Sequence, residues 1–355
     1  MGARSLRPTD SWRWATLFAV TTAPDINGIL SEWGQPTYRA QQVAQAKMRG
    51  AAEWEDVTTL GKELRGRLTD TRPLWSFISE KRLRSTDGTL KWRLRARDGQ
   101  RFEMVLIAHA EGRRTLCVSS QAGCSLGCTF CATGQLGPGR NLYPEEILDQ
   151  ALLAAAEAEE EGARLTNVVF MGMGEPMHNL DAVLEACDGM HDPSLLGLSA
   201  RRLAISTAGW VPGIAALAEH PLPVRLAISL HAADDETRSK LMPINNRYPI
   251  ANLMGACRRY CDTTGRRIFI EYLLLDRVND SPEQAKRLAS VIRDGRFHVN
   301  IIEYNPTSGP HRGSSSERRE RFILALSRAG IEASVRRSRG ADIDAACGQL
   351  ALVTP

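Results

Sequence analysis

Apolar and polar positions change rhythm three times along the chain. From Pro36, QPTYRAQQVAQAKMRGAAEWEDVTTLGKELRGRL spaces its apolar residues at helical intervals broken by Gly50 and Gly61, which predicts a small helical unit over roughly residues 10–72. Residues 75–120 alternate apolar and polar around Asp87-Gly88 and Asp98-Gly99, the short-range signal for β-hairpins. Thereafter apolar runs alternate with amphipathic stretches: NVVFMGM before a helix near 180–190, RLAIST before GIAALAE, VRLAISL before DETRSKLM, RIFIEYLLL before SPEQAKRLASVIRDG, HVNIIEYNP before SERRERFILALSRAG, and finally EASVRRS. Such units predict an α/β architecture with a parallel sheet, either open or a partial (β/α)6 barrel. Polar or small groups recur at the strand C-terminal ends (Gly172 to Glu175, Ser206 and Thr207, Ser229 to His231, Asn305), where a barrel gathers its active site. That recurrence selects the partial barrel.

With 355 residues the chain can bury a sizeable core. The rhythm divides it into a helical accessory domain at 1–72, a β-hairpin linker region at 73–116, and a barrel core at 117–350. A formal charge of +4 permits a nucleic-acid partner without demanding one. The tract AAAEAEEEGA at 154–163 reads as a solvated helix face. Near the N-terminus the short apolar run ATLFAV is too short for a signal segment or a membrane span, so a cytoplasmic protein with no membrane contact is expected. In that reducing compartment eight cysteines are not a disulfide framework, and clustered ones point to metal binding or catalysis.

Three of them crowd into AGCSLGCTFCATG: Cys124, Cys128 and Cys131. A structural zinc site wants four ligands, usually as two paired halves, and here there is one triplet without a paired half. An iron-sulfur cluster held by three thiolates leaves one iron open to bind substrate. Three buried structural thiols are the weaker account, because Gly123 and Gly127 suit a loop wrapped closely around a cluster. In GMGEP the glycines are placed where backbone must approach a ligand, and Glu175 where a carboxylate could receive an ammonium group.

The triplet, with Phe130 before its last cysteine, resembles the radical S-adenosylmethionine (radical SAM) superfamily. The likeness extends through CVSSQAGC, FCATGQLG, FMGMGEP, ISTAGWVP, LAISLHAADDETR, PINNRYPI, IEYLLLDRVND, VNIIEYNPT and DIDAACGQL, with YRAQQV in the N-terminal part. Together these stretches resemble the RlmN/Cfr family, which methylates an adenosine of large-subunit ribosomal RNA. The resemblance implies a 4Fe–4S cluster on Cys124, Cys128 and Cys131, and SAM contacts from Gly174, Glu175, Ser206, Ser229, Leu230, His231 and Asn305. A lone histidine such as His231 is otherwise more often a satisfied structural group. It also implies that Cys347 and Cys117 are catalytic and that Glu103 is the base, although Glu103 by its place in the hairpin could equally be an exposed strand residue. Cys187, Cys257 and Cys261 match no site of the family and read as packing thiols or surface incidentals.

The adenine C2 and C8 carbons lack a nucleophilic lone pair, so direct displacement on the SAM methyl is a poor route, and a carrier thiol solves the problem. In the implied mechanism Cys347 takes a methyl from one SAM. Hydrogen is then removed from that methyl by the deoxyadenosyl radical released from a second SAM, and the carbon radical adds to adenine as an enzyme-RNA thioether. Loss of the ring proton to Glu103 and attack of Cys117 on the Cys347 sulfur release methylated RNA and leave a disulfide to be reduced.

The resemblance further implies 23S rRNA and tRNA as substrates, an electron donor such as flavodoxin or ferredoxin, and a monomer. Within the family the chain leans to the C2-methylating branch, by Pro176 and Ala122, while RSKLMPINNRYPI and DPSLLGLSARRLAIST echo the C8 branch that confers antibiotic resistance. A non-catalytic iron-sulfur RNA-binding protein is the reading from another class; it would lack a carrier or resolving thiol. Arg312, Arg318, Arg319, Arg321, Arg336, Arg337 and Arg339 would form a basic face near Cys347, although Glu317 and Glu320 interleave with the first group. After YRAQQV, where the family shows aromatic residues, stand Ala46, Lys47 and Met48.

Overall fold

The computed structural model describes residues 25–293 and 296–352. The first part of the expected helical unit, residues 10–24, and the ATLFAV run lie outside the described residues. Helices α1 (Ile26–Glu32), α2 (Tyr38–Met48) and α3 (Lys62–Thr71) pack with a 3-10 turn at Trp54–Asp56. Ile29, Leu30, Val43, Trp54, Val57, Leu60 and Leu68 form a small core of their own. The Trp54 indole N–H donates to the Arg72 carbonyl at 2.6 Å and ties the turn to the end of α3.

One ten-stranded sheet, its strands in chain order, carries the remainder. Strands β1 (Phe77–Arg84), β2 (Leu90–Ala96), β3 (Arg101–Ala108) and β4 (Arg113–Cys117) are antiparallel neighbours. The two expected hairpins turn at Gly88 and Gly99, both with φ near +85°, a conformation that glycine adopts without a Cβ penalty. From β4 onward the pairing is parallel, through β5 (Arg164–Phe170), β6 (Leu203–Thr207), β7 (Arg225–Ser229), β8 (Ile268–Leu274), β9 (Phe297–Glu303) and β10 (Ala333–Arg336). The connecting helices are α4 (Ala132–Leu136), α5 (Pro144–Glu160), α6 (Leu180–His191), α7 (Val211–Glu219), α8 (Asp235–Leu241), α9 (Ile250–Thr264), α10 (Pro282–Val291) and α11 (Ser316–Arg328). Short polar side chains start several of them: Asp234, Ser281 and Ser315 accept from backbone N–H groups of α8, α10 and α11.

Alternation along the parallel strands sorts the sheet into two faces. Ile205, Ile228, Ile270, Tyr272 and Ile301 join Ile147, Val183, Ile214, Leu253, Leu288 and Phe322 of the helices in the main core. The opposite face carries Ser206, Ser229, Glu271 and Asn300. This one-sided helical cover is the arrangement of a partial (β/α) barrel, and the fold is α/β as expected. The tract 154–163 is a correction. Ala156 and Ala158 are buried, and Glu157 is only 8% exposed. Glu157 pairs with Arg82, and Glu161 with Arg84 at 2.5 Å, so one side of the end of α5 is packed against the hairpin strands, while Glu159 and Glu160 remain exposed.

Lys47, one of the residues that departs from the family pattern, is 2% exposed. Its ammonium lies 2.7 Å from Asp149 and 3.9 Å from Glu145, both on α5, and sits over the Trp75 ring. Arg72 grips Glu145 with two hydrogen bonds, and the second Asp149 oxygen accepts from Ser76 N–H. The helical unit is thus joined to the sheet unit by buried charge. Removing one partner of such a pair strands the other, at a cost of about 3–5 kcal/mol. Lys47→Ala is therefore expected to lower stability by about that amount in denaturant unfolding, and a loss below ~1 kcal/mol would contradict the account.

Candidate active site

The loop after β4 carries Cys124, Cys128 and Cys131. Its course depends on two glycines packed back to back: a Cβ on Gly139 would lie 2.1 Å from the Ala122 carbonyl oxygen, and one on Gly123, at φ +149°, 2.8 Å from that of Gly137. Thr129 N–H donates to the Leu241 carbonyl and Ala132 N–H to that of Gly348, which anchors the loop to α8 and to the C-terminal segment. Burial pushes the Cys124 thiol up to about 11 and Cys128 well above its ordinary value, and the three thiols repel one another's charge. A bound cation of high charge reverses that preference. Among the described residues no three His, Cys, Asp or Glu side chains converge on a single-ion position. Three thiols that sense one another in one loop, with no fourth cysteine in that loop, suit a cluster offering one iron to each better than tetrahedral zinc.

Beside this loop, Glu175 is fully enclosed, and its charge raises Cys124 and Cys128 further. Its two oxygens accept from Met177 N–H at 3.0 Å and Ala208 N–H at 2.8 Å, and its own N–H donates to the Gln121 side chain. Burial raises the carboxyl against those hydrogen bonds. The need for glycine at 172 and 174 comes from protein backbone: a Cβ would meet the Val118 carbonyl oxygen at 2.7 Å or Gln121 Cβ at 2.5 Å. The GMG spacing thus reflects the crossing of two loops as much as the approach of a ligand.

Ser206 and Ser229 stand at neighbouring strand ends with their hydroxyls 3.4 Å apart. Leu230 N–H donates to Glu271 O. His231 adopts φ +55°, and its Nδ1 accepts from Leu273 N–H at 3.1 Å, which leaves the neutral ring's proton on Nε2. Its edge meets Phe130, and burial drives its pKa down to about 3. The side-chain amide of Asn305 donates to the Cys347 carbonyl at 3.1 Å. Sequence reasoning missed Arg238, which is wholly buried. It donates to the carbonyls of Ala208 and Leu230 and to the Asn245 side chain, lacing three strand-end loops together. Only its position four residues after Asp234 in a strand-end motif could have drawn notice.

Cys117 ends β4, and Cys347 lies on the C-terminal loop. The two are close enough for the charge of Cys347 to raise Cys117, and Arg336 acts on both in the opposite sense. Both are free thiols. Cys347 is exposed at its surface, yet the protein around it pushes its thiol up to about 11; enclosure takes Cys117 to about 12. Glu103 is 1% exposed rather than on the surface. One of its oxygens lies 3.0 Å from Lys91 Nζ, and the other accepts from Ala351 N–H at 3.1 Å. Lys91 also donates to the Asp344 carbonyl at 3.0 Å. Further bonds hold the loop: Asp342 accepts from Ser85 Oγ, Thr133 Oγ1 donates to Leu350 O, and Gln349 donates to Pro306 O.

Much of the expected basic face is neutralised. Arg318 pairs with Asp280 and Asp276, Arg319 with Glu303, Arg321 with Glu317, and Arg336 with Glu271. Arg337 is exposed beside Arg336. Cys187, Cys257 and Cys261 are buried on α6 and α9 as packing residues.

Residues 118–289 match the Radical SAM superfamily. The chain is 43% identical over 331 residues to the dual-specificity RNA methyltransferase RlmN of Syntrophobacter fumaroxidans, covering 93% of this chain and 96% of that one. It is 44% identical over 330 residues to the protein of the same name from an Anaeromyxobacter species, covering 91% and 87%. A crystal structure of a radical SAM methyltransferase from Sphaerobacter thermophilus superposes with a TM-score of 0.87 at 45% identity, over 91% of this chain and 96% of that one. A 4Fe–4S cluster and S-adenosylmethionine are the cofactors of the superfamily, and the thiol loop fits the first. The chain belongs to the RlmN family of radical SAM RNA methyltransferases.

Proposed function

We propose that the protein methylates C2 of an adenosine in 23S rRNA and of an adenosine in tRNA, through a methyl carried on Cys347. One convergence carries the reading: Cys347, from the far end of the barrel sequence, lies close enough to raise Cys117 by its charge, while Glu103 hydrogen-bonds the loop that presents Cys347. The relatives' designation as dual-specificity enzymes supports two RNA substrates.

In this reading Cys124, Cys128 and Cys131 hold the cluster, which when reduced supplies the electron that cleaves SAM to a deoxyadenosyl radical. Glu175, Gly174, Ser206, Ser229, Leu230, His231 and Asn305 seat SAM. Cys347 receives the methyl group and later links it to the adenine ring. Glu103 takes the ring proton at its carboxylate, which Lys91 holds in place at 3.0 Å. The ring adduct must also give up its unpaired electron, for which a bound cluster in its oxidised form would be the acceptor. Cys117 then attacks the Cys347 sulfur, the carbon–sulfur bond breaks with its electron pair on the carbon, that carbon takes a proton to become the methyl group, and a disulfide closes. The elevated pKa of Cys117 means that it attacks only as its proton is removed, and the Arg336 guanidinium favours the thiolate. The enzyme works in the cytoplasm as a monomer and draws electrons from a carrier such as flavodoxin or ferredoxin. Residues 1–72 form a separate accessory domain that helps to expose the target base, followed by a hairpin linker at 73–116 and the catalytic core at 117–350.

Nucleosides from large-subunit RNA incubated anaerobically with reconstituted enzyme, SAM and reductant test this by mass spectrometry. Wild type is expected to yield 2-methyladenosine and Cys347→Ala none. Cys117→Ala is expected to accumulate RNA covalently joined to protein. Formation of 8-methyladenosine would place the activity in the other branch, and absence of either product would refute the substrate assignment. Separately, Cys124→Ala is expected to lose most bound iron and acid-labile sulfide in elemental analysis. Iron retained at the wild-type level would remove Cys124 from the ligand set.

A further inference from the structure

Glu271 lies midway along β8, 1% exposed, on the sheet face turned away from the helices. Register aligns it with Ser229 on one side and Asn300 on the other, and Asn300 with Ser334, so that one polar row crosses four strands. Its Oε1 is held by two donors, Asn300 Nδ2 at 2.9 Å and Arg336 Nη2 at 3.1 Å. Asn300 Oδ1 in turn accepts from Ser334 Oγ at 2.8 Å, which determines that the Asn300 amide presents its NH2 to the carboxylate. Oε2 is buried, and among the described residues it has no hydrogen-bond partner. A buried polar atom left without a partner costs ~1–3 kcal/mol, more when charged. A ligand bearing an N–H removes that cost.

The lone oxygen belongs to the thiol end of the site. Cys347 feels Cys131 of the cluster loop and then Glu271 against Arg336, whereas Glu175 rather than Glu271 acts on Cys124 and Cys128. The occupant of that end is the base that Cys347 attacks. We propose that Glu271 reads the exocyclic amine of the target adenine, Oε2 accepting from N6 while the ring rests against Cys347. This inference rests on the adenosine reading above. The amine is the donor group on the base edge of adenine, whereas guanine carries an acceptor oxygen at the corresponding position. A carboxylate oxygen there attracts the first and repels the second.

The test replaces Glu271 by glutamine in the full-length reconstituted enzyme. Asn300 and Arg336 both donate, so the glutamine oxygen must occupy the Oε1 position and its NH2 must face the base. RNA substrates carry either adenosine or purine riboside, which lacks the amine, at the target position. Wild type is expected to favour adenosine by about 10²-fold or more in kcat/KM, since a site built for a donor rejects the analogue without it. Glu271→Gln is expected to lower kcat/KM for adenosine by about 10²-fold and so collapse the preference. Glu271→Ala, which removes the acceptor without adding a donor, is expected to lose the preference as well. In both variants methylation of Cys347 in the absence of RNA, read by intact-protein mass, and bound iron are expected to persist. An undiminished preference in Glu271→Gln would overturn the inference, as would loss of Cys347 methylation, which would make Glu271 a SAM contact. Failure of wild type to methylate adenosine would instead overturn the function on which it rests.

Discussion

The buried ion pair between Lys91 and Glu103 governs where the last residues of the chain can go. Neither charge could be enclosed alone, since desolvation of an unpaired ion costs several kcal/mol. Paired at 3.0 Å on adjacent strands, they keep unused valences, and both are spent on the C-terminal loop. Lys91 takes the Asp344 carbonyl and Glu103 the Ala351 N–H. These contacts bracket Cys347. A segment with little regular structure is thereby pinned to the strand adjoining Cys117, and the register of β2, β3 and β4 brings Cys347 within charge reach of it.

The same face of the sheet is electrostatically divided. Glu175 and the laced loops around Arg238 border the cysteine triplet, while Glu271 and Arg336 act on Cys347, which also feels Cys131 of the triplet. The hydroxyls of Ser206 and Ser229 lie between. A nucleoside spanning the two ends would meet acceptors at either extremity and hydroxyls in the middle, so polarity along the row orients what binds. The outer arginines contribute less than their number suggests, because Arg318, Arg319 and Arg321 are matched by carboxylates.

The elements were legible because their patterns are local. Asp87-Gly88 and Asp98-Gly99 marked true turns, and each apolar run from Val168 onward became a strand facing helices that its neighbours supplied. What escaped is long-range. Glu103 looked like an exposed strand residue because nothing near it in the chain announces the loop that covers it. Lys47 looked like a departure from a motif, whereas it is a buried tie to Asp149, about a hundred positions away. The alanine-rich tract looked solvated because its partners, Arg82 and Arg84, lie on a strand that sequence distance separates from it. For the same reason the orphaned oxygen of Glu271 was invisible: only the register of β7 to β10 assembles its surroundings.

The hairpin region has a topological effect beyond joining two parts. To close a barrel, the first parallel strand must offer its free edge to the last. Here β3 already occupies that edge of β4, and β10 ends the sheet on the far side. The two edges of the parallel sheet are thus kept from pairing by the backbone hydrogen bonds of β3. A bulky folded polynucleotide can then present one nucleotide without waiting for the protein to part. For an RNA methyltransferase, an open edge of this kind leaves the extrusion of the base from its stack as a cost carried by the RNA.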